Sequence, residues 1–332
     1  MDLETKLKKF TKKLMLNLNE YAKSKVINNI VFGGAGFLGS HLIDKLLEND
    51  ENVFCVDNLS SGNLRNLNHL KNNKKFIFIK HDILNPIISE IPIEKIWHLA
   101  CPASPNIYQN DPLKTIRVNY EGTFNILNLA KVFKSRMLFT STSEVYGITN
   151  KNPQKENMPI ILSTYSPRAC YSEGKRIAET LIKSFSESNK LDIKIARIFN
   201  TYGPRLNLDD GRVVGNFIKQ CTKENRLTIY GNGSQTRSFC YVHDLIEGLM
   251  KLMKSNYMYP INLGNEEEIT IIKLAKLIQH KINRDIKIEY LNLPLDDPKR
   301  RKPCLDNAKK YLNWHPKVSL SDGLDETINY FI

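Results

Sequence analysis

The sequence predicts an α/β fold: a doubly wound parallel sheet followed by a smaller mixed α/β lobe. Three observations predict it. An apolar run over 26–32 leads straight into Gly33-Gly-Ala-Gly36-Phe-Leu-Gly39, after which 40–48 carries apolar residues at helical spacing. Further strand-like runs, at 52–56, 76–80, 96–100, 136–141 and 193–199, recur between amphipathic stretches, the pattern of a parallel sheet with helices on both faces. The second run closes on Asp57, 21 residues after Gly36, the interval at which an acidic residue meets the ribose hydroxyls of a dinucleotide in Rossmann-type sheets.

Each element has a local reason. Gly33, Gly36 and Gly39 let the backbone turn tightly, admit a pyrophosphate and let helix and strand pack closely. A carboxylate at Asp57 repels a 2′-phosphate, so the expected cofactor is NAD and not NADP. The third strand ends at Asp82 and Ile83, where this architecture contacts adenine, and the fourth runs into Cys101-Pro-Ala-Ser104, a turn at the carboxyl end of the sheet. Residues 113–133 read as one long amphipathic helix, and the fifth strand ends in Thr142-Ser143-Glu144. A short strand at 227–230 carries Tyr230 into a glycine-containing turn with Gln235 and Arg237, whose guanidinium suits a phosphate. A helix beginning at 241 returns to the first domain. The expected organisation is a helical extension over 1–25, a cofactor domain over 26–199 with 236–262, and a substrate lobe over 200–235 and 263–332.

Bulk properties narrow the classes. At 332 residues the chain exceeds one compact core, and 41% hydrophobic with 25% charged residues describes a soluble globular protein. No apolar run reaches spanning length and 1–25 has no signal-peptide core, so a cytoplasmic protein without a membrane partner is expected. That segment has Leu3, Leu7, Phe10 and Leu14 at helical spacing among lysines, a basic amphipathic helix lying on the domain. Six cysteines without paired spacing point to buried thiols, with no disulfide or metal. The net charge of +13 comes from lysines scattered along the chain, which suits a cleft for an anionic substrate better than a nucleic-acid stripe.

Tyr171 and Lys175 lie four residues apart in a helical stretch and so share one face. A nearby ammonium and an oxidised nicotinamide both favour phenolate; bringing a free phenol from about 10 to neutrality takes about 4 kcal/mol. Tyr171 is thereby a candidate general base for a hydroxyl. Thr142, Ser143 and Glu144, at the end of the fifth strand, are placed to face the same crevice, with Glu144 a candidate proton donor at the reacting carbon.

Taken together, GGAGFLG, Asp57-Asn58, HLACPASP, TSTSEVYG, PRACYSEGKR, ARIFNTYGPR, DDGRVVGNF, YGNGSQTRSF and DDPKRRKP resemble the extended short-chain dehydrogenases that modify nucleotide sugars. The resemblance is closest to the UDP-glucuronate decarboxylases and spans nearly everything from Asn28 to Phe331. It implies a redox-neutral carbon–carbon lyase that oxidises carbon 4 of UDP-glucuronate, loses carbon dioxide and yields UDP-xylose, with a UDP-sugar 4-epimerase, an oxidative decarboxylase or a 4,6-dehydratase as alternatives. A non-catalytic NAD or nucleotide-sugar sensor is the alternative outside enzymes. Ser143 stands where the dehydratases carry Asp. A second carboxylate about 4 Å from a uronate would cost roughly 1 to 4 kcal/mol, whereas a hydroxyl donates to it.

The resemblance also assigns residues. Beyond those above, the NAD site includes Phe37, Leu38, Asn58, Leu59, Ser61, Leu99, Ala100, Thr140, Thr201 and Arg212. The sugar nucleotide falls to Cys101, Ser104, Arg117, Asn200, Arg205, Asn216, Tyr230, Gln235, Arg237 and Arg301, the last serving the diphosphate or the uronate carboxylate. Relatives pair through the helices that begin near Leu113 and Tyr171, which implies a homodimer.

Overall fold

The computed structural model describes residues 26–89, 91–147, 151–161, 163–224, 226–293 and 298–332; the expected helix over 1–25 lies outside the described residues. Seven strands, β1 (Asn28–Phe32), β2 (Asn52–Asp57), β3 (Phe76–Lys80), β4 (Lys95–His98), β5 (Arg136–Thr142), β6 (Ile193–Ile198) and β7 (Ile261–Leu263), form one sheet. All pair in parallel, in the order β7-β6-β5-β4-β1-β2-β3. The order reverses between β1 and β4, which opens a crevice at their carboxyl ends. The doubly wound sheet is the one expected. β7 was not foreseen, because three residues with both faces buried show no period to read.

Every residue of β1 and β2 is buried, as a sheet covered on both faces requires. Helix α1 (Phe37–Glu48) buries Leu42, Ile43 and Leu46 against that sheet, each worth about 1.5–3 kcal/mol. The turn between them leaves no room for side chains at Gly33 and Gly39. Gly33 sits at φ 79°, and a Cβ there would lie 2.8 Å from the Ala100 nitrogen; a Cβ on Gly39 would collide with the Gly33 carbonyl oxygen.

The helix expected over 113–133 is interrupted. It runs as Pro112–Arg117, a π-helical turn Val118–Gly122, and Thr123–Phe133. Asn119 donates its side-chain amide to the Thr115 carbonyl at 2.9 Å, the acceptor its own backbone N–H would use in an α-helix, and this competition opens the ladder.

Helix α2 (Ala169–Asn189) crosses the face of β5, and α3 (Val242–Lys254) returns to the sheet, burying Leu245, Leu249 and Leu252. The remaining strands make small pairings. Leu227–Tyr230 pairs with Ile288–Leu291, Thr201–Tyr202 with Cys240–Tyr241, and Thr236–Ser238 lies between Glu268–Thr270 and Arg300–Arg301. The last of these carries the basic run at 299–302. Arg300 faces outward and pairs with Glu268, whereas Arg301 is buried.

Candidate active site

The carboxyl ends of the strands open into one cleft of about 1220 Å³, and every site residue expected from the sequence lines it except Arg117. Arg117 is a correction. It lies on the exposed side of its helix and pairs with Glu121 one turn on, at 2.8 Å, because the helix turns its other face to α2.

At the centre of the cleft, Tyr171 stands in the first turn of α2 and is 6% exposed. The Thr142 hydroxyl stands beside its phenol and favours the phenolate, and the Thr142 oxygen accepts the Glu144 N–H at 3.2 Å. Lys175, one turn further on, donates to the Thr140 carbonyl at 2.8 Å and lies 4.5 Å above the Phe139 ring. The expected acidification of Tyr171 by Lys175 is not produced by the protein alone. Burial, with smaller contributions from Cys101 and Glu144, pushes the phenol up, and burial pushes the Lys175 ammonium down. Both groups are biased toward their neutral forms, so a phenolate at this position requires positive charge from what binds beside it.

On the sugar side, Glu144 is flanked by two guanidinium groups, Arg168 at 3.6 Å and Arg301 at 3.6 Å. Both guanidinium groups line the cleft, where a planar fork suits a carboxylate. Ser143 is buried next to Glu144. Other side chains of the cleft are tied down by the protein: Ser104 donates to the Asp210 carbonyl at 2.6 Å, Cys101 to Asn119 at 3.3 Å, and Gln235 to the Tyr230 carbonyl at 2.8 Å. Arg205 pairs with Asp44 at 2.7 Å, and Arg212 donates to the Ala103 carbonyl at 3.3 Å.

On the opposite side, the structure fits a dinucleotide. A Cβ built on Gly36 would meet only the Gly33 carbonyl, at 3.2 Å, so the turn is open toward the cleft where α1 begins. Asp57 accepts the N–H groups of Ala35 at 3.0 Å and Leu59 at 2.8 Å, which fixes its carboxylate at the end of β2 with lone pairs to spare. His41 of α1 donates to the Pro204 carbonyl at 2.9 Å, joining this side to the loop after β6.

A family model described as GDP-mannose 4,6 dehydratase matches residues 30–327. The chain is 48% identical over 309 residues to UDP-glucuronic acid decarboxylase 4 of Arabidopsis thaliana, covering 93% of this chain and 69% of that protein. This chain belongs to that family, among its UDP-glucuronic acid decarboxylases. Two solved structures share the fold of the decarboxylase chain. UDP-N-acetylglucosamine 4-epimerase from Methanobrevibacter ruminantium M1 matches with a TM-score of 0.85 and 30% identity over 93% of this chain and 99% of that one. UDP-glucuronic acid 4-epimerase from Bacillus cereus, solved in complex with UDP-glucuronic acid and NAD, matches with a TM-score of 0.83 and 30% identity over 92% and 98%.

Among the neighbours of Glu144 and Tyr171, two residues escaped the sequence reading. Arg168 precedes Tyr171 by three residues, and that spacing on a first helical turn was the available signal. Tyr108 stacks on Tyr171 with ring centroids 4.8 Å apart and planes 3° from parallel, a contact between segments that no local pattern announces.

Proposed function

We infer that this protein is a NAD-dependent, redox-neutral decarboxylase that converts UDP-glucuronate to UDP-xylose and carbon dioxide through a 4-keto sugar. The observation that carries this reading is Glu144 held between Arg168 and Arg301 beside the Tyr171, Thr142 and Ser143 hydroxyls. Two guanidinium forks on the sugar side suit a uronate carboxylate, and relatives bearing the decarboxylase name support the same chemistry.

Gly33, Gly36, Gly39 and Asp57 would hold the dinucleotide, with Tyr171 and Lys175 at its reactive end. NAD, when bound, supplies a reversible two-electron oxidant at carbon 4 of the sugar. Tyr171 accepts the proton of the 4-hydroxyl, and Thr142 steadies the phenolic oxygen. With carbon 4 a ketone, the bond to the carboxylate beta to it breaks and its electrons pass into an enolate. The protonated phenol and the neighbouring hydroxyls hold that enolate oxygen. Arg301 and Arg168 receive the carboxylate before it leaves, carbon 5 takes a proton relayed from solvent through Glu144, and carbon 4 is reduced back to the alcohol as Tyr171 returns its proton. Residues 26–199 with 236–262 serve the cofactor in this reading, and 200–235 with 263–332 the nucleotide sugar.

We also assign a homodimer, supported by exposed Leu113, Ile116, Tyr120, Phe124 and Ile177 along the interrupted helix and α2. Light scattering that finds a stable monomer at micromolar concentration overturns it. No helix among the described residues is long and apolar enough to cross a membrane, and all six cysteines are free, which supports a cytosolic protein. The central test is incubation with UDP-glucuronate and NAD, followed by NMR. Expected are UDP-xylose and released carbon dioxide with no net build-up of reduced cofactor. A 4-epimer that keeps its carboxyl, an accumulating 4-keto sugar or intact substrate each overturns the assignment.

A further inference from the structure

Glu144 and Arg301 come from segments 157 residues apart, yet lie within 3.6 Å of each other. A buried hydrogen-bond network holds them there, and Asn262 stands at its centre. Asn262 lies on β7 and is fully buried. Its side-chain oxygen accepts from the Tyr146 hydroxyl at 2.6 Å, and Tyr146 ends the same 3₁₀ turn, Ser143–Tyr146, that carries Ser143 and Glu144.

The other face of the amide holds the Arg301 segment. Asn262 donates to the Gln154 carbonyl at 2.9 Å and to the Cys304 carbonyl at 3.2 Å. Gln154 and the chain after Arg301 are themselves laced together, with the Gln154 N–H donating to the Lys302 carbonyl and the Cys304 N–H to the Gln154 carbonyl, both at 2.8 Å. Arg197 extends the network toward the base. It donates to the Tyr146 oxygen at 3.1 Å and forks onto Glu179 at 3.0 and 2.7 Å, and Glu179 lies on α2 one turn past Lys175.

Only an amide fits this position. It offers an acceptor to Tyr146 and two donors to two carbonyls, whereas Asp lacks the donors and Leu lacks both. We propose that Asn262 is a positioning residue for decarboxylation, fixing the Glu144 turn against the Arg301 strand and so setting the spacing at which the sugar carboxylate is received. The proposal rests on the decarboxylase reading above. A network of this kind acts as a unit, and misplacing a charged receptor by about 1 Å is enough to cost about a hundredfold in rate.

The test is a double-mutant cycle of Asn262→Leu and Arg301→Ala, reading affinity for UDP-glucuronate and for UDP, together with kcat and KM. Asn262→Leu should weaken UDP-glucuronate about tenfold, lower kcat and leave UDP within about threefold. In the Arg301→Ala background the same change should cost the uronate less than about twofold more, because the group being positioned is gone. Equal loss of UDP and UDP-glucuronate means general damage to the lobe and overturns the proposal, as do losses that multiply in the double variant. Should Asn262→Leu fail to fold, Tyr146→Phe breaks the single bond to the Glu144 turn and enters the same cycle. Wild-type turnover tests the decarboxylase reading by itself. The affinity cycle still reads Asn262 where wild-type turnover fails.

Discussion

The glycine turn and Asp57 of the dinucleotide side come from one unbroken stretch, β1 through Leu59, whereas the sugar side is set by Ser143, Arg168, Asn262 and Arg301, on four separate segments. The first side presents backbone. Its requirement is the absence of Cβ atoms at Gly33 and Gly39, and its Asp57 carboxylate is fixed by N–H groups of the glycine turn and of the turn after β2. The sugar side presents polar side chains, of which Arg168, Arg301 and Asn262 are each held by a partner on another element. The difference teaches where errors would act. A local change harms cofactor binding, and a change anywhere in the network harms the chemistry.

The largest effect should separate chemistry from binding. Tyr171→Phe is expected to lower kcat by about 10² to 10⁴ while affinity for UDP and stability stay near wild type; calorimetry showing that the variant has lost UDP as well would merge the two sides.

Next in size is the acid response of the dinucleotide side. Burial drives His41 down to about 4 from 6.5, so the folded state favours the neutral ring. Its folded value is depressed, so the stabilisation is fully present above pH 6.5 and is lost as pH falls toward 4, about 3 kcal/mol in all. Urea unfolding of wild type and His41→Gln between those pH values should show a shallower slope in the variant; parallel slopes would remove His41 from the account.

Arg168→Gln should cost about tenfold in kcat/KM for UDP-glucuronate, with cofactor affinity unchanged. Steady-state kinetics at low and high salt check it, and an unchanged kcat/KM would leave Arg301 to act without it. The smallest effect is expected at Arg117. Arg117→Ala, outside the cleft on an exposed ion pair, should leave kinetics within about twofold; a larger loss would return it to the site.

How much of this was legible follows the same division. The strand–glycine–helix start, Asp57 and the alternation of strands could be read directly, since each signal lies within one period of the chain. Tyr171 and Lys175 were legible as one helical face. The break at Val118–Gly122 was hidden because it hangs on one amide, that of Asn119, turning back to a carbonyl. β7 was hidden by its length, and Arg117 misled because a resemblance carries over a residue type and not the direction in which its helix face turns. The state of the Tyr171 phenol could not be read at all. Spacing showed Lys175 near it, but the Thr140 carbonyl that takes the ammonium belongs to β5.

The bond between Gln154 and Cys304 ties together residues 150 apart in the chain, which has a consequence for synthesis on the ribosome. The glycine turn, Asp57 and the first six strands are complete once residue 198 has emerged, so a nascent chain has a dinucleotide pocket early. Its lyase centre closes only after residues 261–304 have been made and have packed against Gln154 and Tyr146. A product truncated between those points should capture cofactor and do no chemistry.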